Sequence, residues 1–398
     1  MQSAESRSSG LLRFSQCPQP RLLNVLALYN LTFRAPVLFV RLLNHPIERG
    51  LGGLTEQGCL EAGAKPAALS YLLDPKSHYK CERLAEKTLQ WIESRERGIL
   101  GLEDDDYPAL LREIASPPPL LFFEGQLTAF SLPCFSIVGS RRPSRSAEIT
   151  ANELAGQLAI MGFGIVSGLA RGVDSLAHTA AIEAGGTTIA ILGTGMNRIY
   201  PQGQTKLRAR IPEHGLVLSE FPLNTDAFKE HFPRRNRVVT GLSMGTLIVE
   251  AGLRSGSMIS ARLAMEQGRE VFAVPGNIHN PQSKGCHQLI RDGAVLTECI
   301  EDILRELPPG KGAPNMTEIS EAPVLAGQGL SANRPPLAES ERRLLANIDM
   351  DPVSIDVLVN RTGLDVSQIS SLLTQLELLG LVHADISGYS LEPGGKLR

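Results

Sequence analysis

Six short apolar runs between residues 135 and 275 alternate with polar loops and helical stretches, and this alternation constrains the fold more than any other feature of the chain. The runs cover residues 135–138, 165–166, 189–192, 217–218, 247–249 and 271–274. Continuous apolar runs separated by helices are typical of parallel strands that are covered by helices on both faces. The sequence therefore predicts an α/β domain with an extended Rossmann-like parallel sheet.

Arginines follow five of these runs. They are Arg141 and Arg142, Arg171, Arg198, the cluster Arg234, Arg235 and Arg237, and Arg254. Ligands of open α/β sheets bind beyond the carboxyl ends of the strands, and the guanidinium group is a planar fork that suits phosphate oxygens. The pattern predicts a ligand with several negative charges at this edge. Because the formal charge of the chain is -3, the cations must act through a local patch.

The rest of the 398 residues is arranged around this core. We expect a flexible tail at 1–20, a small helical (SAM-like) domain at 21–98, the α/β domain at 99–307, a linker rich in Pro and Gly at 308–336, and a winged-helix-like domain at 337–398. The winged helix holds five Lys/Arg against nine Asp/Glu over residues 335–398. This balance favours a protein contact or a regulatory role over reading of a DNA groove.

The strongest local signal lies between residues 136 and 146. A strand runs into a Gly-Ser-Arg loop, and a helix starts near Ser146, so unpaired N–H donors and a positive dipole end face the loop. The residues predicted to hold a phosphate are Gly139, Ser140, Arg141, Arg142 and Ser144. The alternative is a tight strand-to-helix turn with an ordinary serine cap.

The second signal is the segment 231–237. It combines Phe232 and Asn236 with three arginines, and Phe228 and His231 lie beside them. Cations next to flat rings bind single-stranded nucleic acid without reading its sequence. The alternative is a surface charge run with buried phenylalanines.

Cofactor and catalytic motifs fit poorly. No P-loop occurs, and Arg198 stands where a dinucleotide fingerprint needs its third glycine, so we expect no cofactor. The G-x-S-x-G match around Ser243 has a helix before it and a strand after it, the reverse of a nucleophile elbow. No residues are spaced for a metal, no signal-peptide core is present, and polar residues interrupt the apolar stretch 24–43. We therefore expect a cytoplasmic protein that is not an enzyme and has no membrane span.

Several motifs together resemble the DNA-processing protein A family, called DprA or Smf. They are Val-Gly-Ser-Arg-Arg-Pro-Ser at 138–144, Ser-Gly-Leu-Ala-Arg-Gly-Val-Asp-Ser-Leu-Ala-His at 167–178, Leu-Ser-Glu-Phe-Pro at 218–222, Phe-Pro-Arg-Arg-Asn-Arg at 232–237, Val-Glu-Ala-Gly at 249–252, Ser-Gly-Ser at 255–257, Ala-Val-Pro-Gly at 273–276 and Gly-Cys-His-Gln-Leu-Ile at 285–290. The likeness covers residues 101–304.

The resemblance implies a protein of natural transformation that binds single-stranded DNA, forms a homodimer and loads the RecA recombinase. Together with the cations above, it gives a predicted DNA-binding set of Gly139, Ser140, Arg141, Arg142, Ser144, Arg171, Arg198, Lys206, Phe232, Arg234, Arg235, Asn236 and Arg237. Lys206 is the nearest cation to the place where relatives often carry a lysine after their Tyr-Pro pair. The predicted dimer and recombinase surface consists of His287, Leu289 and Ile290.

Two alternatives of other classes remain open at this point. A nucleotide phosphoribohydrolase uses a similar sheet, but the segment 245–250 lacks the expected glycine pair and places Glu250 one residue late. We therefore expect that carboxylate on the wrong face of a strand. The second alternative is a DNA-binding regulator that acts through the winged helix.

Overall fold

The structure, a computed structural model, describes residues 17–43, 50–94, 96–307, 337–349, 352–385 and 388–391. The helices are α1 Gln19–Thr32, α2 Pro36–Leu42, α3 Glu56–Glu61, α4 Pro66–Leu72, α5 Pro75–Ile92, α6 Ala109–Arg112, α7 Arg145–Ile160, α8 Val173–Glu183, α9 Thr205–His214, α10 His231–Gly241, α11 Gly256–Glu266, α12 Lys284–Arg291, α13 Ile300–Glu306, α14 Glu339–Leu345, α15 Ile355–Thr362 and α16 Val366–Leu378. The strands are β1 Arg97–Gly101, β2 Leu120–Gly125, β3 Cys134–Gly139, β4 Gly164–Ser167, β5 Thr188–Ile191, β6 Gly215–Ser219, β7 Gly245–Val249, β8 Glu270–Ala273, β9 Val295–Leu296, β10 Val382–Asp385 and β11 Gly388–Leu391.

The predicted parallel sheet is confirmed, and each of the six apolar runs lies on a strand of it. Nine strands follow the order β1-β2-β6-β5-β4-β3-β7-β8-β9, in which β2 is antiparallel to both of its neighbours and all other neighbouring strands are parallel. The chain moves from β3 outward through β4, β5 and β6, and then returns to the other side of β3 with β7. The loops after β3 and β7 therefore diverge, which leaves a crevice at the carboxyl edge between them.

Successive strand residues pack on opposite faces of the sheet. On β3, Ile137 belongs to one buried cluster and Val138 to another. On β7, Leu247 and Ile248 divide in the same way. Both faces of the sheet are therefore buried, which is why these strands have continuous apolar sequences.

The boundary between the helical domain and the α/β domain differs from the prediction. The edge strand β1 begins at Arg97, so it starts two residues before the expected boundary at 99. The helical domain also shares a buried cluster with the sheet, in which Leu26 and Tyr29 of α1 join Phe122 of β2. The predicted tail ends inside α1, and its residues 1–16 lie outside the described residues, as does the predicted linker.

The predicted winged helix is confirmed. Helices α14, α15 and α16 and the β10–β11 hairpin enclose their own buried cluster, which includes Leu358, Leu373 and Val382. Gln368, one of only two amides on α16, uses its side chain to cap the helix by accepting from the backbone N–H of Asp365 at 3.3 Å. In the described part of the chain, we find no helix that is both long enough and apolar enough to cross a membrane.

Candidate nucleic-acid interface at the carboxyl edge

A cavity of about 680 Å³ opens at the crevice between the loops that follow β3 and β7. Its walls come from the β3–α7 loop, the start of α8, the start of α10, and the start of α11. It therefore lies at the switch point of strand order, where doubly wound sheets bind their ligands.

Gly139 lines the cavity, and strand packing also requires its lack of a side chain. A Cβ atom there would lie 1.9 Å from the carbonyl oxygen of Val249 and 2.7 Å from a methyl of Val173. The next residue, Ser140, donates its N–H to the same carbonyl at 3.2 Å, and its hydroxyl accepts from the N–H of Arg142 at 3.2 Å. These bonds turn the chain sharply, so Arg141 and Arg142 project from the turn as exposed residues.

Ser144 caps α7 and holds a buried carboxylate. Its hydroxyl accepts from the N–H of Ala147 at 3.4 Å and also bonds Oε2 of Glu250, which accepts from the backbone N–H of Ser144 at 2.9 Å. The hydroxyl of Ser146 also lies 3.3 Å from that of Ser144, so the hydroxyl that was expected to meet a phosphate already has three partners. Glu250 itself follows the last residue of β7 and lines the cavity, so the prediction that this carboxylate faces away from the site is wrong.

The loop after β4 supports the β3–α7 turn from the side. Gly172 has a φ of 76°, and a Cβ atom there would lie 2.3 Å from the carbonyl oxygen of Ser140. The carboxylate of Asp174 accepts from the N–H groups of Gly168 and Ala170 at 3.1 and 3.4 Å. It does not bond the histidine one turn later, whose Nδ1 lies 2.6 Å from the hydroxyl of Thr188. Arg171 is exposed beside this loop.

Arg235 is a structural residue of the cavity floor. It is 5% exposed, and its guanidinium donates to the carbonyl oxygens of Gly168 and Ile191. Burial lowers its pKa to about 10, with Asp174 opposing this decrease and Arg141 adding to it. Burial likewise raises the pKa of the Asp174 carboxyl, which Arg235 opposes. Arg235 therefore stays charged at neutral pH, but its N–H donors point into the protein.

Arg234 and Arg237 also have protein partners. Both guanidiniums contact the buried carboxylate of Glu220, at 3.0 and 2.5 Å, and Arg234 donates to the carbonyl oxygen of Phe33 at 2.9 Å. These two arginines thus connect α10 to the end of β6 and to the end of α1. No pattern in the sequence indicates that Glu220 pairs with these arginines.

The cations that remain available are Arg141 and Arg142 at one wall and Lys229 at the other. All three are exposed, and none of them forms an ion pair with a described residue. Lys229 was missed because a single lysine two residues before a helix carries no pattern. Asn236 also lines the cavity, where its Oδ1 accepts from Nε of Arg235 at 3.2 Å.

The remaining predicted residues lie on the flank formed by the loop after β5. Arg198 is exposed and pairs with Asp226 at 2.9 Å, and Lys206 is exposed on α9 without lining the cavity. The ring of Phe232 contacts that of Tyr200 with centroids 5.3 Å apart, and Tyr200 is 48% exposed. Tyr200 offers a flat face that was not predicted, Phe228 is 46% exposed, and His231 is buried.

The start of α11 forms the far wall. Ser257 donates its hydroxyl to the carbonyl oxygen of Gly139 at 2.8 Å, which ties this helix start to the β3–α7 turn. Ser255 precedes the helix, and its Oγ is buried without a partner among the described residues. The N-terminal turn of α11 therefore borders the cavity, where it adds its positive dipole end.

The predicted interface residues on α12 divide between core and surface. Leu289 is 3% exposed and belongs to a buried cluster of its own subunit, which corrects its assignment to a contact with a partner. Ile290 packs against the same cluster but is only partly buried, and Nε2 of His287 lies 2.9 Å from the carbonyl oxygen of Gly276.

Ser243 has no access to a substrate. It is fully buried, and its hydroxyl donates to the carbonyl oxygen of Val239 at 2.9 Å. A helix precedes it and β7 follows it, in the order expected from the sequence.

The fold and the cavity define a doubly wound α/β domain with a cationic cavity at its switch point. Family models for DNA recombination-mediator protein A and for the DprA winged helix domain match residues 98–308 and 328–385. The chain is 40% identical over 305 residues to Protein Smf of Escherichia coli (strain K12), covering 76% of this chain and 80% of that protein. The chain therefore belongs to the DprA/Smf family of DNA-processing proteins.

Comparisons with the sequence and the structure of a Streptococcus pneumoniae protein agree with this family. The DNA processing protein DprA of strain ATCC BAA-255 / R6 is 44% identical over 207 residues, which is 51% of this chain and 72% of that protein. The X-ray structure of DprA from this species superposes with a TM-score of 0.61 at 32% identity, covering 73% of this chain and 99% of that one.

Proposed function

We propose that the protein binds single-stranded DNA at the carboxyl edge without reading its sequence, and that it passes this DNA to the RecA recombinase in transformation and recombination. The observation that carries the proposal is the cavity at the switch point, which is bordered by Arg141, Arg142 and Lys229 with no described ion-pair partner. Phosphate contacts carry no sequence information, and Tyr200 provides a stacking face that accepts any base.

Titration of fluorescent oligonucleotides tests the proposal. We expect Arg141→Ala to weaken binding of single strands of any composition, because a phosphate contact is lost. The matched control is Arg262→Ala, an exposed arginine on α11 that does not line the cavity. Equal affinity of the wild-type protein and Arg141→Ala, or a strong preference for one base sequence, would contradict the proposal.

We further propose that the protein acts by binding and not by catalysis, in the cytoplasm where its DNA partner is. Glu250 is the residue on which an enzymatic role would depend, because its carboxylate lines the cavity. One of its oxygens accepts two hydrogen bonds from Ser144, which suits a residue that positions α7. Incubation with nucleoside monophosphates should release no base. If the protein does release base, and Glu250→Gln abolishes this release, the phosphoribohydrolase alternative would be favoured.

A homodimer is the third part of the proposal. Ile290 is the apolar residue of α12 that stays partly accessible, and β9 at the edge of the sheet exposes 45% of Leu296. Two such subunits would present two cationic cavities to one strand and raise its affinity without new kinds of contact.

A further inference from the structure

Helix α5 carries a basic stripe on its solvent side. The stripe consists of Lys76, Lys80, Arg83 and Lys87, and all four residues are exposed. Their spacings of four, three and four residues place them within about 60° of arc over a length of about 16 Å. The opposite side of the helix, with Cys81, Ala85 and Thr88, is buried.

The stripe has little acidic compensation. Arg83 pairs with Glu86 at 2.9 Å, but both side chains are largely exposed, and such a pair contributes little. Lys76, Lys80 and Lys87 form no ion pair with any residue that the structure describes. Tyr79, which is 66% exposed, lies beside the stripe. Cations interleaved with an exposed ring suit phosphates and the flat faces of bases.

The stripe is connected to the cavity through α1. Phe33 accepts a hydrogen bond from Arg234 of α10, and the next residue, Arg34, is exposed with its guanidinium 5.6 Å from the ring centre of Phe33. On the other side of α1, the side chain of Asn30 donates to the carbonyl oxygen of Cys81 on α5 at 3.2 Å. Helix α1 thus contacts α5 in its last turn and is followed by a residue bonded to α10, and Arg34 adds an exposed cation at that end.

We propose that the stripe on α5 is a second binding site for single-stranded nucleic acid, which receives the strand as it leaves the cavity and passes Arg34. This inference rests on the proposed function, because the cavity supplies the first contact. A short strand fills the cavity alone, whereas a longer strand reaches both sites. The second contact is then intramolecular and raises affinity through effective concentration.

The experiment compares two oligonucleotide lengths on the full chain. Thymidine strands of about six and about thirty nucleotides bracket the site sizes of single-strand binders. The test variant is Lys80→Gln/Lys87→Gln, and the matched control is Lys65→Gln/Arg305→Gln, which removes two exposed cations elsewhere. We expect the test variant to bind the long strand on the order of tenfold more weakly, with a salt slope lower by about 1.4, and to bind the short strand as the wild type does.

The other possible outcomes distinguish failure of the stripe proposal from failure of the proposed function. If the test variant behaves as the control on both lengths while Arg141→Ala still weakens both, the stripe proposal is wrong and the proposed function stands. If Arg141→Ala has no effect on either length, the proposed function itself fails. If the test variant keeps long-strand affinity but loses binding of poly-L-glutamate, the stripe serves an acidic protein. Tyr79→Ala, which retains all four cations, should also weaken only the long strand.

Discussion

Two residues at the cavity edge adopt a backbone conformation that is rare for their type. Leu169, after β4, and Glu250, after β7, have φ values of 55° and 53°. Left-handed backbone costs about 1 kcal/mol or more in such residues and persists only where the surroundings enforce it. Burial of the Leu169 side chain and the two bonds from Ser144 to Glu250 supply that enforcement. The cavity wall is thus fixed before a ligand arrives.

His178 is a buried base of defined tautomer. Its Nδ1 lies 2.6 Å from the hydroxyl of Thr188, which donates its own hydrogen to the carbonyl oxygen of Ile165 at 2.8 Å. Nδ1 therefore carries the hydrogen, and Nε2 is buried without a partner among the described residues. Burial lowers the pKa of His178 to about 3, and positive Arg235 adds to the decrease.

This lowered pKa predicts acid sensitivity. Between about pH 6.5, where an unfolded histidine titrates, and the folded pKa of about 3, the unfolded chain holds the extra proton. Stability is therefore lost as the pH falls through this window, by about 1.5 kcal/mol from this residue between pH 6.5 and pH 5. Urea unfolding at the two pH values should show a smaller loss for His178→Asn. If His178→Asn showed the same pH dependence as the wild-type protein, the acid sensitivity could not be assigned to His178.

At the scale of elements, α10 is held by charge and not by apolar packing alone. Glu220 is 1% exposed and accepts from Arg234 and Arg237, while the hydroxyl of Tyr29 on α1 donates to the carbonyl oxygen of Glu220 at 2.5 Å. Glu220 thus joins the end of β6 to α10 through its carboxylate and to α1 through its backbone carbonyl. Removal of one cation leaves this charge under-compensated, which is costly in a buried pair.

Arg237→Ala separates a structural role from DNA contact. We expect the free energy of unfolding to fall by about 3 kcal/mol, because a partner of buried Glu220 is lost. The salt slope of DNA binding should stay at the wild-type value. Thermal unfolding measures the first quantity and oligonucleotide titration the second. A stable variant with a reduced salt slope would return Arg237 to the DNA-binding surface.

The strands were predictable because both faces of the sheet are covered, so each strand reads as an apolar run without reference to its neighbours. Whether an arginine is free to contact a ligand was not predictable in this way. Arg141 and Arg237 look alike in sequence, and only the fold brings Glu220 to one of them and leaves the other exposed. Arg235 likewise finds its carbonyl partners in the loop after β4 and on β5.

In the whole molecule, the domain boundaries predicted from the sequence do not separate the buried hydrophobic clusters. Tyr29 and Phe122 share one buried cluster although 93 positions separate them. The helical pattern of residues 21–98 correctly indicated helices but could not reveal that α1 covers the sheet. The helical domain and the cavity are therefore linked through the junction at Glu220.

The proposed dimer is tested with Ile290→Glu. A charge at a desolvated contact between subunits is unfavourable, so light scattering should report a monomer. The control is Leu378→Glu in the winged helix, where the native side chain is 84% exposed and the variant should remain dimeric. A dimeric Ile290→Glu protein would place the interface elsewhere.

We propose that the exposed arginines at the switch point contact the phosphates of a single strand. The salt dependence of binding by the wild-type protein and by Arg141→Ala/Arg142→Ala, measured with one short thymidine oligonucleotide, tests it most directly. Each lost phosphate contact lowers the slope of log affinity against log salt by about 0.7, so we predict a decrease of about 1.4. Equal slopes for the two proteins would contradict the account.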